Sequence, residues 1–436
     1  MNIILKRISL VSVSGLLILS TAAGCSLPGL PFGNKEKGIE IIGGVIKKDP
    51  SIKKDGYIQA NSVKGGGENA LKVYDTKQFN RFDKNSLQLL TKQKGLVVSN
   101  DSGKNWERKY IYPVTAENGG KLSDNDFNNA IAKNDAIDER SFSVNPANKD
   151  NIVIAGKDAD GLGKIFTTVN GGKNFVLSYS EVQTGIGVNL ISINPKNPNR
   201  IFGLLEKGAL VRSLDGGVNW QKIKSFKEIP TQMDFIPGSG ELYVISETEG
   251  LQKSGDDGET WQKVEMTKKA SKIGEDQTNG KFNIPIISKG DSFGAFTKFV
   301  PVTKKNGNIG GLENENGGNE LAALLIADKQ LWYSSNILAG VQFEKLPLPL
   351  QNEQSNILSV AFNPISGVSN LLVSVDNKLI ESTNRGQSWN VNDKINLKNE
   401  NTDIGNIVGI TFDIDNPEII FLNLSRPEVK KGGLFG

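Results

Sequence analysis

The residues that come nearest to acid–base chemistry are two pairs of carboxylates spaced two apart, Asp158 with Asp160 and Asp124 with Asp126. Two carboxylates flanking a sugar bond are what glycoside hydrolysis needs, one as acid and one as base or nucleophile. The first pair lies in Lys157-Asp158-Ala159-Asp160-Gly161, a turn signature in which such side chains cap the backbone. The second follows Ser123, which is placed to cap a short helix reaching Ala132. Asp124, Asp126, Asn128 and Asp135 also fall at positions 1, 3, 5 and 12 of a calcium-loop count. That loop needs Gly where Asn129 stands and favours Glu where Asp135 stands, so capping is the better explanation. The chain has no histidine, which removes Ser-His-Asp and Cys-His catalysis and the commonest zinc ligand. Gly65-Gly66-Gly67 and Gly119-Gly120 lack the context of a phosphate-binding loop. No catalytic residue, metal site or cofactor is expected.

The remaining polar residues of distinctive spacing are structural. The stretch Ser213, Asp215, Gly217, Trp220 recurs at the same offsets as Ser254, Asp256, Gly258, Trp261. Three further copies are Ser99, Asp101, Gly103, Trp106; Thr168, Asn170, Gly172, Phe175; and Ser382, Asn384, Gly386, Trp389. In each, the Asp or Asn oxygen can accept backbone N–H bonds and close a turn, while Gly supplies a positive φ. The aromatic residue then starts the outgoing strand and covers the turn. The four tryptophans are therefore expected in the core rather than on a sugar platform.

This pattern resembles the Asp-box, or BNR repeat. Its flanks agree: an Asn-Pro turn and two short apolar runs precede a copy, as in Asn194-Pro195, Ile201 to Leu205 and Ala209 to Arg212. A repeat near forty residues made of short strands signals a β-propeller blade. The resemblance extends to sortilin-type ectodomains, photosystem II assembly-factor-like proteins and sialidases. It implies that the box joins the third and fourth strands of a blade, and that ligands bind on the opposite end. Sialidase chemistry is poorly matched: only eight arginines exist, Arg81-Phe82-Asp83 stands nearest to the family's Arg-Ile-Pro motif, and Arg212 runs into a box.

Spacing between the boxes sets the blade count. Steps of 69, 45, 41 and 128 residues separate Ser99, Thr168, Ser213, Ser254 and Ser382. The last gap holds two blades, one with a degraded box near Leu331-Trp332-Tyr333-Ser334-Ser335-Asn336. With a final unit after Trp389, the expected fold is all-β: a seven-bladed β-propeller closed by an N-terminal strand at 39–47. Two long connections, 112–141 and 265–283, belong to the end opposite the boxes, whereas the Gly/Asn-rich stretch 306–319 belongs to the box end.

The N-terminus reads as an export signal, with Lys6 and Arg7 before the apolar run Ile8 to Leu19. Ala22-Ala23-Gly24-Cys25 resembles a bacterial lipoprotein cleavage box, and Cys25 is the one cysteine in the chain. The expected organisation is a signal peptide over 1–24, a Pro/Gly-rich tether over 25–38 and a propeller over 39–436. Without residues 1–24, 49 basic side chains face 48 acidic ones, which argues against a nucleic-acid partner. The expected product is an extracytoplasmic lipoprotein, held to a bacterial membrane through lipid on Cys25. Its expected role is a non-catalytic scaffold binding an envelope protein or complex, the alternative being carbohydrate binding or hydrolysis.

Overall fold

The computed structural model describes residues 39–42, 45–48, 76–91, 95–101, 106–109, 137–236, 239–269, 292–302, 322–335, 337, 341–349, 355–376, 378–392, 398–399, 402–403, 406–413, 415–416 and 420–425. Among them there are strands and turns and no helix. Apolar runs of five residues bounded by turn signals, such as Ile201–Leu205 and Ala323–Ala327, are buried along their whole length, the pattern of a strand covered on both faces.

The chain is an all-β propeller. Six blades are each built from four consecutive antiparallel strands. In the second these are Asp138–Asn145, Asn148–Lys157, Gly163–Thr168 and Val176–Ser180, and in the third Val188–Ile193, Ile201–Leu205, Ala209–Ser213 and Gln221–Ser225. The first, fourth, fifth and sixth blades begin at Thr76–Arg81, Gln232–Phe235, Phe296–Pro301 and Ile357–Asn363. Six complete blades correct the expected seven. The gap between Ser254 and Ser382 does hold the fifth blade, with Trp332 buried and its indole N–H donated to the Ala327 carbonyl at 3.0 Å.

Two features depart from the sequence reading. In place of the one strand expected at 39–47, Ile39–Ile42 and Val45–Lys48 are two strands paired antiparallel as a hairpin. This hairpin pairs antiparallel with Ile420–Ser425, which pairs with Asn406–Phe412, giving a composite four-stranded sheet from both ends of the chain. The fifth blade also has a fifth strand, Met266–Lys268, lying parallel to the outer strand Val341–Leu346.

First strands of successive blades are clamped by side chains. Gln78 donates to the Phe142 carbonyl at 2.7 Å and accepts the Phe142 N–H at 3.0 Å. Gln232 does the same to Phe299, at 2.8 and 3.0 Å. Ser141 and Ser143 accept the N–H groups of Ile191 and Ile193 at 3.2 and 3.1 Å. Each clamp satisfies a backbone group that a strand edge would otherwise leave unpaired.

The first blade also meets the composite sheet. The Phe79 and Phe421 rings lie 5.2 Å apart. The Arg81 guanidinium, 3% exposed, is ion-paired to Asp413 at 2.8 Å and Asp415 at 3.0 Å. Ser374 of the sixth blade donates to the Ile407 carbonyl at 2.7 Å.

Candidate functional site

The repeated turns are local hydrogen-bonded devices. Ser213 donates to Asp215 at 2.7 Å and accepts the Gly217 N–H at 2.8 Å, while Asp215 accepts the Asn219 N–H at 2.9 Å. Ser254, Asp256 and Gly258 repeat this, as do Thr168, Asn170 and Gly172 and Ser382, Asn384 and Gly386. Ser99 donates to Asp101 at 2.8 Å; Gly103 lies outside the described residues. Hydrogen bonds from the turn hold the Asp215 and Asp256 carboxyls at about 2.

Gly217 has a φ of 95°. The residue before each such Gly is left-handed too, and at Asp257 and Arg385 it is not glycine. Phe175 is buried, but Trp106, Trp220, Trp261 and Trp389 are half-buried rather than enclosed in the core. Three of the indoles donate to the carbonyl of their own turn glycine: Trp220 to Gly217 at 3.1 Å, Trp261 to Gly258 at 2.9 Å and Trp389 to Gly386 at 3.0 Å. They cover their turns and pack against the core clusters beneath them.

Several arginines bridge neighbouring sheets. Arg212 donates to the Asp257 carbonyl at 2.7 Å and pairs with Glu259, and Arg200 pairs with Asp257 at 3.1 Å. With Arg81 engaged at the composite sheet, these three arginines are held in ion pairs between sheets rather than gathered around one site.

The end opposite the turns carries a charged network where the first three blades meet. Asp138, at the start of the second blade's first strand, accepts from Lys77 and from Arg140 Nε, both at 3.0 Å. Arg140 also donates to Asn189 at 2.7 Å and to Glu206. Glu206 accepts further bonds from Lys157 at 3.0 Å and from the Gly187 N–H at 2.7 Å. Burial pushes the Glu206 carboxyl up, but the bonds from Arg140, Gly187 and Lys157 outweigh it and hold the group at about 2. Sequence reasoning missed this network because its members stand up to 129 positions apart, from Lys77 to Glu206.

Glu139 has the opposite character. Burial pushes its carboxyl up to about 7, partly offset by the Leu96 N–H, donated at 2.7 Å, and by the Arg108 and Lys77 charges. Gly95 beside it is left-handed and has no room for a Cβ against the Glu139 carboxylate. A carboxyl near neutrality beside one held low would suit an acid and a nucleophile, but the hydrogen-bond partners of this bulged stretch keep the two apart. Glu139 faces the first blade through Leu96 and Arg140 faces the third through Asn189, so Glu139 and Glu206 sit on opposite sides of the second sheet.

Asp158, nominated from sequence, accepts the Leu162 N–H at 2.7 Å and pairs with Lys164 at 3.2 Å. It caps the turn between second and third strands. Cys25, Asp124, Asp126, Asn128, Asp135 and the helix expected after Ser123 lie outside the described residues. Among the described residues no cluster of three His, Cys, Asp or Glu side chains is placed to hold a metal ion.

No protein-family model matches the chain, and no curated protein matches its sequence. Solved structures match its fold. YCF48 bound to D1 peptide is 14% identical with a TM-score of 0.50, over 80% of this chain and 93% of that one. YCF48 from Cyanidioschyzon merolae is 11% identical, TM-score 0.50, over 80% and 96%. The GH74 xyloglucanase from Xanthomonas campestris is 14% identical, TM-score 0.53, over 81% and 51%, so the chain spans about half the length of that hydrolase. At 11–14% identity these likenesses establish the β-propeller fold alone.

Proposed function

We propose that this chain is a non-catalytic scaffold: an Asp-box propeller of the sortilin-type or assembly-factor-like kind that binds a protein partner in the bacterial cell envelope. One observation carries the reading. Where the first three blades meet, opposite the turns, the charged side chains of the network are used to hold blades and connections together, and Glu139 and Glu206, the carboxyls displaced furthest apart, are separated by a sheet. A rigid ring presenting irregular connections suits binding. YCF48 in its complex with D1 peptide shows a chain of this fold engaging a peptide, and the GH74 xyloglucanase shares the same fold, so the choice between protein and glycan rests on the charged network and on the test. The test exposes the detergent-purified protein in parallel to solubilised envelope proteins and to a glycan panel. Stoichiometric retention of a protein is expected; retention or cleavage of a glycan would establish the carbohydrate alternative.

In the same reading, residues 1–24 are removed, Cys25 carries the lipid and 25–38 tether the ring outside the cytoplasm. Cys25→Ala is expected to release the protein from membranes, and continued membrane association would refute the anchor. The composite sheet closes the ring of six blades, supported by its pairing with Ile420–Ser425 and by the Arg81–Asp413 pair. Deleting residues 39–48 is then expected to lower the melting temperature by many degrees, against an unchanged melt if the ring closes otherwise.

A further inference from the structure

A propeller blade presents its outer strand to solvent with one row of backbone groups unpaired, and charged side chains are the usual guard on such an edge. Most outer strands here have that guard: Glu107 and Arg108 in the first blade, Lys222 and Lys224 in the third, Lys263 in the fourth. The outer strand of the second blade, Val176–Ser180, has none. It reads Val-Leu-Ser-Tyr-Ser, with Val176 65% and Leu177 47% exposed. Val169 before it and Val182 after it are 75% and 91% exposed. So one stretch of fourteen residues, Val169 to Val182, holds four of the nine exposed large hydrophobic side chains among the described residues. The sixth blade's outer strand, Asn390–Asn392, is also uncharged but has a single exposed apolar side chain, Val391, between two amides.

The strand is held ready rather than loose. Ser178 donates to the Gly217 carbonyl and accepts the Trp220 indole N–H at 2.9 Å. The Tyr179 ring packs 5.7 Å from Trp220, and its hydroxyl donates to Glu181 at 2.9 Å. Ser178 and Tyr179 are thus committed to the third blade, while Val176 and Leu177 face outward and, among the described residues, no segment covers them.

The same chain shows what an outer edge of this architecture accepts. On the fifth blade its own segment Met266–Lys268 adds as a short strand beside Val341–Phe343, with Met266 buried against the blade. That blade has its edge covered; among the described strands the second has no such partner. Its register shifts between Leu177 and Tyr179, which limits regular pairing along this edge to the part before the bulge, at Val176-Leu177.

We infer that the outer edge of the second blade at Val176-Leu177 is a docking site for a short extended peptide segment of a protein partner, added as a strand with apolar side chains laid over Val176, Leu177 and Val182. This rests on the scaffold reading and names its surface. Main-chain hydrogen bonds supply affinity in such strand addition, and the apolar side chains supply preference. A preformed strand lowers the ordering cost of binding.

The test titrates a fluorescein-labelled heptapeptide of alternating Val and Thr into the detergent-purified protein. Saturable binding is expected, weakened at least tenfold by Val176→Lys with Leu177→Lys. N-methylation of alternate peptide nitrogens, which removes the strand's donors, is expected to weaken it equally. Val391→Lys on the sixth blade is expected to leave it unchanged. The substituted side chains are exposed, so melting temperature serves as the control for folding. Absence of saturation, or equal binding by the double variant, overturns the inference. Self-association lost in the double variant would assign the edge to a second copy and overturn it too. An envelope protein captured equally by the double variant would leave the scaffold reading standing while removing this edge from it.

Discussion

Replacing Glu139 by Gln isolates the electrostatics of the seam between the first and second blades. Folding raises the Glu139 carboxyl from 4.5 to about 7, with burial the leading cause. Over that window the native state holds a proton that the unfolded chain has released, so stability falls as pH rises from 4.5 and levels off above about 7. At about 1.4 kcal/mol per unit, the gap sets a ceiling of about 3 kcal/mol on the cost of ionising this carboxyl at pH 8. Gln cannot ionise, yet its carbonyl oxygen can still accept the Leu96 N–H that Glu139 accepts at 2.7 Å. Glu139→Gln should therefore match the parent at pH 4 and exceed it by up to about 3 kcal/mol at pH 8. Urea unfolding at half-unit pH steps measures both curves. Parallel curves, or a variant less stable than the parent at pH 8, would refute this: the second result means the carboxylate is charged and gains more from Arg108 and Lys77 than burial removes.

Other outcomes follow from the same geometry. Glu206, held at about 2 mainly by Arg140 against burial, contributes stability above pH 4.5 that is lost as pH falls toward 2; Glu206→Gln should lower stability at pH 7 by about 2 kcal/mol and flatten the acid limb of the unfolding curve. Arg81→Met strands the buried Asp413 carboxylate and should cost about 3–5 kcal/mol, with partial recovery when Asp413→Asn is added; full additivity would mean the pair does not bind the seam. Gly217→Ala puts a side chain at a φ of 95°, with its Cβ 2.7 Å from Ser178 Oγ, and should cost about 1–3 kcal/mol in thermal unfolding. Ser213→Ala removes the hydroxyl that bridges Asp215 and the Gly217 N–H, a loss of about 1–3 kcal/mol by the same assay.

What sequence could reveal depends on how local the cause is. The turns were legible because Ser213, Asp215 and Gly217 act within five residues, and four of the five copies, at Thr168, Ser213, Ser254 and Ser382, close with the same bonds from side chain to backbone. The flanking strands were legible because both faces of a blade are covered and read as continuous apolar runs. The clamps were not: Gln78 and Gln232 look like ordinary polar positions of an alternating strand, and only the neighbouring blade shows that each completes a backbone pair. The same holds for Arg81, whose ion pair joins residues 334 positions apart at Asp415. Asp158 was rightly suspect as a turn cap, since a carboxylate beside Gly161 has a local task. Glu139 carried no signal, because its shift comes from packing that the first and second blades create together.

The central claim, a protein-binding ring whose working surface lies away from the turns, is tested most directly by capture from solubilised envelope. The comparison sets the parent protein beside a variant with residues 114–136 replaced by a Gly/Ser linker and another carrying Val176→Lys with Leu177→Lys. The scaffold reading predicts that the parent retains a protein partner in near-stoichiometric amount and that at least one of the two variants loses it. Retention of no protein by the parent, with a glycan bound or cleaved instead, would contradict it.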